Sequence, residues 1–438
     1  MISIKDNKIR WAISAVLALL ILFGTYRNVF SLAAFLLMGL MLVFCDRESN
    51  LLQIFFVMPM AGIFKFSPGV QSFFTIVLLV YVALHLVLPR KSTLFVILFA
   101  VYVVLGQLLG GGFNLFRTIK LICNFLFLSS TLNANVKIDH KKLFFSYIIG
   151  NIVASVFAKM SSGFFKIESY IGVKELGGLD EFKDVVRFAG LYEDPNYYSI
   201  SLIISLCLLV VLFYRKEISF YELFLWASFL VYFLIITYSK SAFIMLVVPF
   251  LSWEYTLYKK KNYSVLIASV FAVLVVLLLA FSGEIPALDV IVSRMTEVES
   301  EDFDINTITT GRFNLWIRYA TYLIKNIKAG LFGVGIGTPL LNGEAAHNTY
   351  FDILYYLGVV GGVLLLTVLL TTSSQCIQKN IKRNVLNYSI IICIVVMYFF
   401  LSELFYFDPP FHLLLAFMVL NLPLKEQFVI PDSLIEKE

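Results

Sequence analysis

The stretch YYSISLIISLCLLVVLFYRK, from Tyr197 to Lys216, decides the fold of this chain. No charged side chain occurs between Tyr197 and Tyr214, and the run ends at the basic pair Arg215 and Lys216. An α-helix rises about 1.5 Å per residue, so a run of this length spans the hydrocarbon core of a bilayer, which is about 30 Å thick. The stretch therefore predicts a transmembrane helix.

Apolar runs of this kind recur along the whole chain. Of its 438 residues, 60% are hydrophobic and 14% are charged, and the mean hydropathy is +0.88. Soluble domains are usually about 45–50% apolar and about 25% charged, so one soluble core cannot bury this excess. We predict an all-α integral membrane protein, a single polytopic domain over residues 1–438. Its fourteen predicted transmembrane helices lie at 11–26, 29–45, 51–65, 72–89, 93–109, 115–133, 143–160, 197–214, 219–238, 241–258, 263–282, 349–372, 386–403 and 409–424.

Basic residues predict the orientation of these helices. With fourteen spans, the short basic connections all fall on one side, and short basic loops stay in the cytoplasm. Both termini are then cytoplasmic, and two longer loops, 161–195 and 283–348, are extracytoplasmic. The net charge of +5 comes from the basic connections, so membrane lipid is an expected partner and nucleic acid is not. The five cysteines lie in or at the ends of apolar spans and predict core packing.

Unusual polar residues gather at the predicted extracytoplasmic face. Ionisable groups near hydrocarbon cost several kcal/mol and tend to mark function or to pair with each other. No pattern of metal-ligand spacing occurs, so no metal site is predicted. The residues of this face are Arg117, Lys120, Arg187, Asp194, Asn196, Lys240, Arg294, Arg312, His347, Asn348, Glu403, Asp408 and His412.

Within the second long loop, residues 311–330 predict an amphipathic helix at the membrane surface. At helical spacing its apolar face carries four residues: Trp316, Tyr319, Leu323 and Ile327. Arg318 lies roughly opposite, whereas Arg312 projects on the apolar face. Arg312 is therefore either a snorkelling arginine or a buried ligand for an anion.

His347 and the glycine run GVGIG (333–337) precede the twelfth span. A histidine can act as a base near neutral pH, although His347 could also only hydrogen-bond its loop. Glycine runs can cradle phosphate, but this one follows no predicted strand and opens no βαβ unit. We therefore expect a flexible or tightly packed turn there.

Four motifs, in this order, resemble those of the O-antigen polymerase and O-antigen ligase superfamily: RFAGLYEDPNYYS (187–199), SKSA (239–242), TGRFNLW (310–316), and GVGIG followed by AHNTYFDILYYLGVVG (346–361). The resemblance implies an integral-membrane glycosyltransferase of the C type, which works without a metal or other cofactor. It also implies an active face outside the bacterial inner membrane. The expected substrates are undecaprenyl pyrophosphate-linked oligosaccharides, and a chain-length regulator protein is a further expected partner.

The chemistry of that reaction suggests roles for the polar residues. Fixed cations would bind the leaving pyrophosphate, and a base would take the proton of the acceptor hydroxyl. His347 is the expected base, with Glu403 as its rival. The expected substrate-binding residues are Arg117, Arg187, Asp194, Asn196, Lys240, Arg294, Arg312 and Asn348.

We predict a repeat-unit polymerase for a surface polysaccharide, with an O-antigen ligase as the alternative. A transporter or flippase would need polar groups near the bilayer midplane and often repeated halves, neither of which is evident in the sequence. A purely structural membrane scaffold would leave the arginine and histidine residues of the outer face unexplained.

Overall fold

The computed structural model describes residues 6–87, 90–110, 114–133, 138–160, 165–171, 179–180, 185–259, part of 261–271, 311–377, 383–402 and 408–422. Within these ranges the chain is almost entirely helical. The α-helices, in chain order, are α1 (Asn7–Gly24), α2 (Asn28–Phe44), α3 (Arg47–Val57), α4 (Phe73–His85), α5 (Arg90–Gly110), α6 (Leu115–Asn133), α7 (His140–Lys159), α8 (Ile167–Ile171), α9 (Pro195–Tyr214), α10 (Phe220–Ile235), α11 (Lys240–Lys259), α12 (Arg312–Lys325), α13 (Ile327–Phe332), α14 (Thr349–Cys376), α15 (Val385–Tyr398) and α16 (Asp408–Leu420).

Short 3-10 helices and strands complete the described structure. The 3-10 helices are Met58–Met60 and Leu341–Gly343. Two strands of two residues each, β1 (Leu179–Asp180) and β2 (Val185–Val186), form an antiparallel pair in which Leu179 faces Val186. The pair immediately precedes Arg187, so it delivers the chain to the first residue of the RFAGLYEDPNYYS motif.

Polar side chains cap many of the apolar helices at the positions where they begin. Asp6, Asp139 and Asp194 each accept a hydrogen bond from a backbone N–H in the first turn of α1, α7 and α9. Ser219 and Glu222 form a reciprocal capping box at the start of α10. A cap of this kind satisfies a donor that has no partner within the helix.

Helix α9 lies at the centre of the bundle. Its apolar span is 83% buried, and it packs against α7, α10, α11 and α15. The stretch that predicts a transmembrane helix is therefore hydrophobic on every side because other helices surround it. Its first turn carries Asn196, Tyr197 and Tyr198 into the interior.

A helix lies at every predicted span except 263–282, most of which is outside the described residues. Six helices of the described chain are long and apolar enough to cross a membrane, and further apolar helices of 10–17 residues accompany them. The chain is thus a multi-pass helical membrane protein. The number of fourteen spans and the orientation stay predictions.

Two predicted helices differ from the structure. The span 51–65 is α-helical only to Val57, and the 3-10 turn that follows contains Pro59, which cannot donate a backbone hydrogen bond. The single amphipathic helix over 311–330 is two helices, because the backbone of Asn326 leaves the helical region at φ −113° and ψ 77°. The break takes Ile327 off the apolar face, and its side chain is 70% exposed.

Candidate active site

The first motif is held by the start of α9. The carboxylate of Asp194 accepts a hydrogen bond from the backbone N–H of Asn196, with 2.6 Å between Oδ1 and N. Pro195 occupies the first helical turn, where a missing N–H carries no penalty. The N-terminus of α9 is therefore a rigid support for Asp194 and Asn196.

Asn196 connects this motif to the SKSA turn. Its Oδ1 accepts hydrogen bonds from Ser239 Oγ at 2.6 Å, Ser241 Oγ at 3.3 Å and Arg187 Nη2 at 3.5 Å. Arg187 also donates from Nε to the carbonyl of Thr237 at 3.2 Å. Asn196 is buried, and the three donors satisfy the hydrogen bonding of its amide oxygen. It fixes the half-buried Arg187 guanidinium against the turn between α10 and α11.

Arg312 enters the site from the other long loop. It begins α12 directly after Gly311, whose φ of +80° suits glycine. Its Nη1 donates to the carbonyl of Phe400 at 3.1 Å. Burial lowers the pKa of Arg312 from its ordinary value, and the neighbouring charge of Asp194 raises it. A guanidinium stays charged at neutral pH, so Arg312 is a cation at the wall of the site.

His347 lies within electrostatic reach of both Arg312 and Asp194. Its backbone has a φ of +48°, in the left-handed region that residues other than glycine seldom adopt. Its neighbours hold it there. Trp316 Nε1 donates to the carbonyl of Ala346 at 3.0 Å, and Asn348 caps α14. Strained backbones that the surrounding structure enforces are typical of functional sites.

The electrostatics of His347 favour its neutral form. Burial lowers the pKa of its imidazole, and the positive charge of Arg312 lowers it further, while Asp194 opposes both effects. A neutral imidazole can accept a proton at neutral pH. Asp194, Arg312 and His347, which lie far apart in the sequence, therefore lie close enough for their charges to act on one another.

The backbone segment 400–402 joins the elements around this group. Its successive carbonyls accept hydrogen bonds from Arg312 Nη1 (Phe400 O, 3.1 Å), Thr349 Oγ1 (Leu401 O, 2.6 Å) and Tyr197 OH (Ser402 O, 3.0 Å). The sequence does not single out this segment, because its role belongs to carbonyl oxygens, which every residue type possesses. The signal that could have located it is Glu403, the residue that follows it.

Not every predicted site residue joins the group. Arg117 is exposed on α6 and hydrogen-bonds Tyr356 of α14. Asn348 uses its Oδ1 to cap α14, accepting from the N–H groups of Tyr350 at 3.0 Å and Phe351 at 3.2 Å. That oxygen serves the helix terminus, and the expected role of Asn348 in substrate binding stays a prediction.

Three further predicted residues have different outcomes. Lys240 is half-buried at the first position of α11, next to the Ser239 hydroxyl that binds Asn196. Arg294 and Glu403 lie outside the described residues. Of the other polar residues of the predicted outer face, His412 is fully buried in α16, where Tyr147 OH lies 3.1 Å from its Nε2.

The GVGIG run forms a tightly packed turn against a break in α14. Gly358 interrupts that helix at φ +65° and ψ −178°, which frees carbonyls of the preceding turn. Val334 N and Gly335 N donate to the carbonyls of Tyr355 at 2.8 Å and Tyr356 at 3.2 Å. The backbone donors of Gly333, Val334 and Gly335 are thus used inside the protein.

Comparison with known proteins gives one family. A sequence model described as O-antigen ligase (Wzy_C) matches residues 223–366. Neither a curated protein nor a solved structure matches the chain. The matched region contains Lys240, Arg312 and His347, and the structure places the unmatched motif of Arg187 and Asp194 against it. Residues 223–366 therefore match the O-antigen ligase (Wzy_C) family model, which supports a place for the chain in the O-antigen polymerase and ligase superfamily.

Proposed function

We propose that this protein is a repeat-unit polymerase for a surface polysaccharide of the O-antigen, capsule or exopolysaccharide type. It transfers a glycan from a lipid pyrophosphate onto a sugar hydroxyl of a second lipid-linked repeat unit. The observation that carries the proposal is the coupling of Asp194, Arg312 and His347 in one site. The reaction takes place at the extracytoplasmic face of the inner membrane, where the donor is undecaprenyl pyrophosphate-linked.

The cations act on the donor. As the bond between the anomeric carbon and the pyrophosphate oxygen breaks, negative charge grows on the leaving undecaprenyl pyrophosphate. Arg312 and Arg187 bind that charge, with Lys240 as a third cation at the start of α11. Arginine suits this role because its planar fork matches phosphate oxygens. Since these groups are positioned before the reaction, they stabilise the transition state without reorganising.

His347 acts on the acceptor. Its neutral imidazole takes the hydroxyl proton as the sugar oxygen forms its new bond to the anomeric carbon. The imidazolium that results is stabilised by Asp194, which already raises the pKa of His347. Glu403 is the rival base because it directly follows the segment that holds Arg312 and Tyr197.

An O-antigen ligase is the second candidate, and the description of the matching family favours it. The donor chemistry is the same, but the acceptor is lipid A–core. Deletion of the gene separates the two candidates on a polysaccharide gel. Acceptor molecules that carry only a single repeat unit indicate a lost polymerase, whereas accumulated lipid-linked polymer indicates a lost ligase.

Substitution of Arg312 tests the donor site. With purified protein and lipid-linked repeat units, we expect Arg312→Ala to lower turnover at least tenfold, because one charge-assisted hydrogen bond contributes about 1.5–3 kcal/mol. Arg312→Lys should recover part of the activity, since the charge remains and the fork is lost. The readout is the amount of polymer formed per mole of protein. Thermal unfolding of each variant checks that it is folded like wild type.

Arg318→Ala is the matched control on the same helix. Arg318 forms an ion pair with Glu344 at 2.7 Å, and both side chains are about half exposed (47% and 52%). Such a pair contributes little to stability, so this variant should be close to wild type. Equal losses at Arg312 and Arg318 would contradict the assignment of Arg312 to the donor.

A further inference from the structure

A cavity of about 480 Å³ lies far from the candidate active site, where α1, α7 and α10 begin. Helix α7 connects the two regions. It begins at the cavity with Lys141 and Lys142, and it ends beside the first motif, where Lys159 Nζ is 5.2 Å from the centre of the Phe188 ring. A helix of 20 residues is about 30 Å long, so the cavity and the site are separated by about the thickness of a hydrocarbon core.

The lining of the cavity changes from charged to apolar along the helix axes. On α7, Lys141, Phe145 and Ile149 are four residues apart and therefore share one face. On α10, Glu222 is followed one turn deeper by Trp226. The cavity thus has a charged mouth in the first helical turns and an apolar wall one to two turns further in. A ligand that fits both parts has a charged head and an apolar tail.

The charged mouth contains a buried cation with an unused donor. Arg10 is 4% exposed, and among the described residues its Nε has no hydrogen-bond partner. Its guanidinium carbon lies 5.1 Å from the centre of the Trp11 ring. A buried guanidinium N–H without a partner is costly, and Arg10 lines the cavity, so an acceptor bound there would stabilise its charge.

The carboxylates at the mouth already have hydrogen-bond partners, and the charge of Asp139 also acts on Arg10. Asp139 accepts from the N–H of Lys142 at 3.2 Å and pairs with its Nζ at 3.4 Å. Glu222 accepts from the N–H of Ser219 at 2.7 Å. Lys141 Nζ is 2.5 Å from the carbonyl of Glu217, a neutral acceptor, and its charge also acts on Glu222.

Three helix N-termini add to the positive potential at this mouth, because α1, α7 and α10 all begin there. We propose that the cavity binds the phosphate of an anionic membrane phospholipid, with Arg10 and Lys141 as ligands and the acyl chains along Phe145, Ile149 and Trp226. The topology predicted from the basic loops places this lipid in the cytoplasmic leaflet. The proposal does not depend on the reaction proposed for the other face.

Lipid binding to the purified full-length chain tests the proposal. The probes are palmitoyl-oleoyl phosphatidylglycerol, the diacylglycerol with the same chains, and inorganic phosphate, each titrated against thermal unfolding in a neutral detergent. We expect phosphatidylglycerol to raise the unfolding temperature well above the effect of either fragment, because it fills both parts of the cavity. Arg10→Gln should weaken this binding about tenfold or more, through loss of a charge-assisted contact.

Lys8→Gln is the matched control, since Lys8 is an exposed cation on the same helix that does not line the cavity. It should bind phosphatidylglycerol like wild type. Lys141→Gln, at the rim, should weaken binding and serves as the second variant if Arg10→Gln does not fold. Equal affinities of Lys141→Gln, Lys8→Gln and wild type would overturn the proposal. Diacylglycerol that stabilises the protein as much as phosphatidylglycerol would also overturn the proposal, in favour of a site for acyl chains alone. Inorganic phosphate that does so would overturn it in favour of a site for a soluble anion.

Discussion

At the residue scale, Asp194 has two roles, one structural and one electrostatic. Its carboxylate caps α9 through the N–H of Asn196, and its charge raises the pKa of both Arg312 and His347. The cap holds the carboxylate in place without consuming its charge. The same aspartate therefore sets the position of one motif and the electrostatics of two others.

This double role predicts a shift in the pH dependence of turnover. The base form of His347 is present above its pKa, so activity falls as the pH drops through that value, which burial places below the ordinary 6.5. Asp194→Asn keeps a good helix cap and removes the charge that raises the pKa of His347. The acid limb of the pH–rate profile should move to lower pH, measured as polymer formed by purified protein.

Glu193→Gln is the control for this prediction. It makes the same change of charge one residue away, at an exposed position whose charge acts on Lys65. Its acid limb should coincide with that of wild type. If Asp194→Asn leaves the limb unmoved, His347 is not the titrating base, and Glu403 takes its place in the mechanism.

At the element scale, the break in α14 decides how the second long loop returns to the membrane. Gly358 turns the helix out of its regular path, and the GVGIG turn then hydrogen-bonds to the carbonyls of Tyr355 and Tyr356. Tyr102 OH of α5 adds bonds to the carbonyls of Leu357 at 2.6 Å and Phe332 at 2.9 Å. The break is therefore stabilised by two separate elements, the GVGIG turn and α5, which indicates a defined structural cause.

Substitution of Gly358 by alanine should lower the unfolding temperature by several degrees. A Cβ at this position would lie 2.5 Å from the carbonyl carbon of Leu331, and an L-residue at φ +65° is strained. A cost of about 1–3 kcal/mol is typical of such a residue. Gly39→Ala is the control, because a Cβ there meets nothing within 4 Å. Similar unfolding temperatures for the two variants would show that the break tolerates a side chain.

At the scale of the whole molecule, the topology predicts which residues an impermeant thiol reagent reaches from outside the cell. In a background without the five native cysteines, cysteine at Gln71 or Leu340 should react, whereas cysteine at Lys259 should react only after permeabilisation. All three positions are exposed in the structure, so failure to react reports the membrane and not burial. If Lys259→Cys is labelled in intact cells and Gln71→Cys is not, the chain has the opposite orientation in the membrane.

The sequence by itself determined where the helices are. Nearly every apolar run forms a helix, because hydrophobicity and the backbone's need for internal hydrogen bonds in a bilayer act locally. The breaks were harder to predict. Pro59 interrupts a helix for a local reason, whereas no proline or glycine marks the break at Asn326.

The motifs also predicted that Arg187, Arg312 and His347 belong to one face, and the family model matches the region that contains Arg312 and His347. Only the tertiary structure decided which of them meet. It brings Asp194 beside Arg312 and His347, gives the oxygen of Asn348 to a helix cap, and leaves Arg117 beside Tyr356. Contacts between residues so distant in the chain depend on helix packing, and carbonyl acceptors such as those of 400–402 carry no signature in the identity of a side chain.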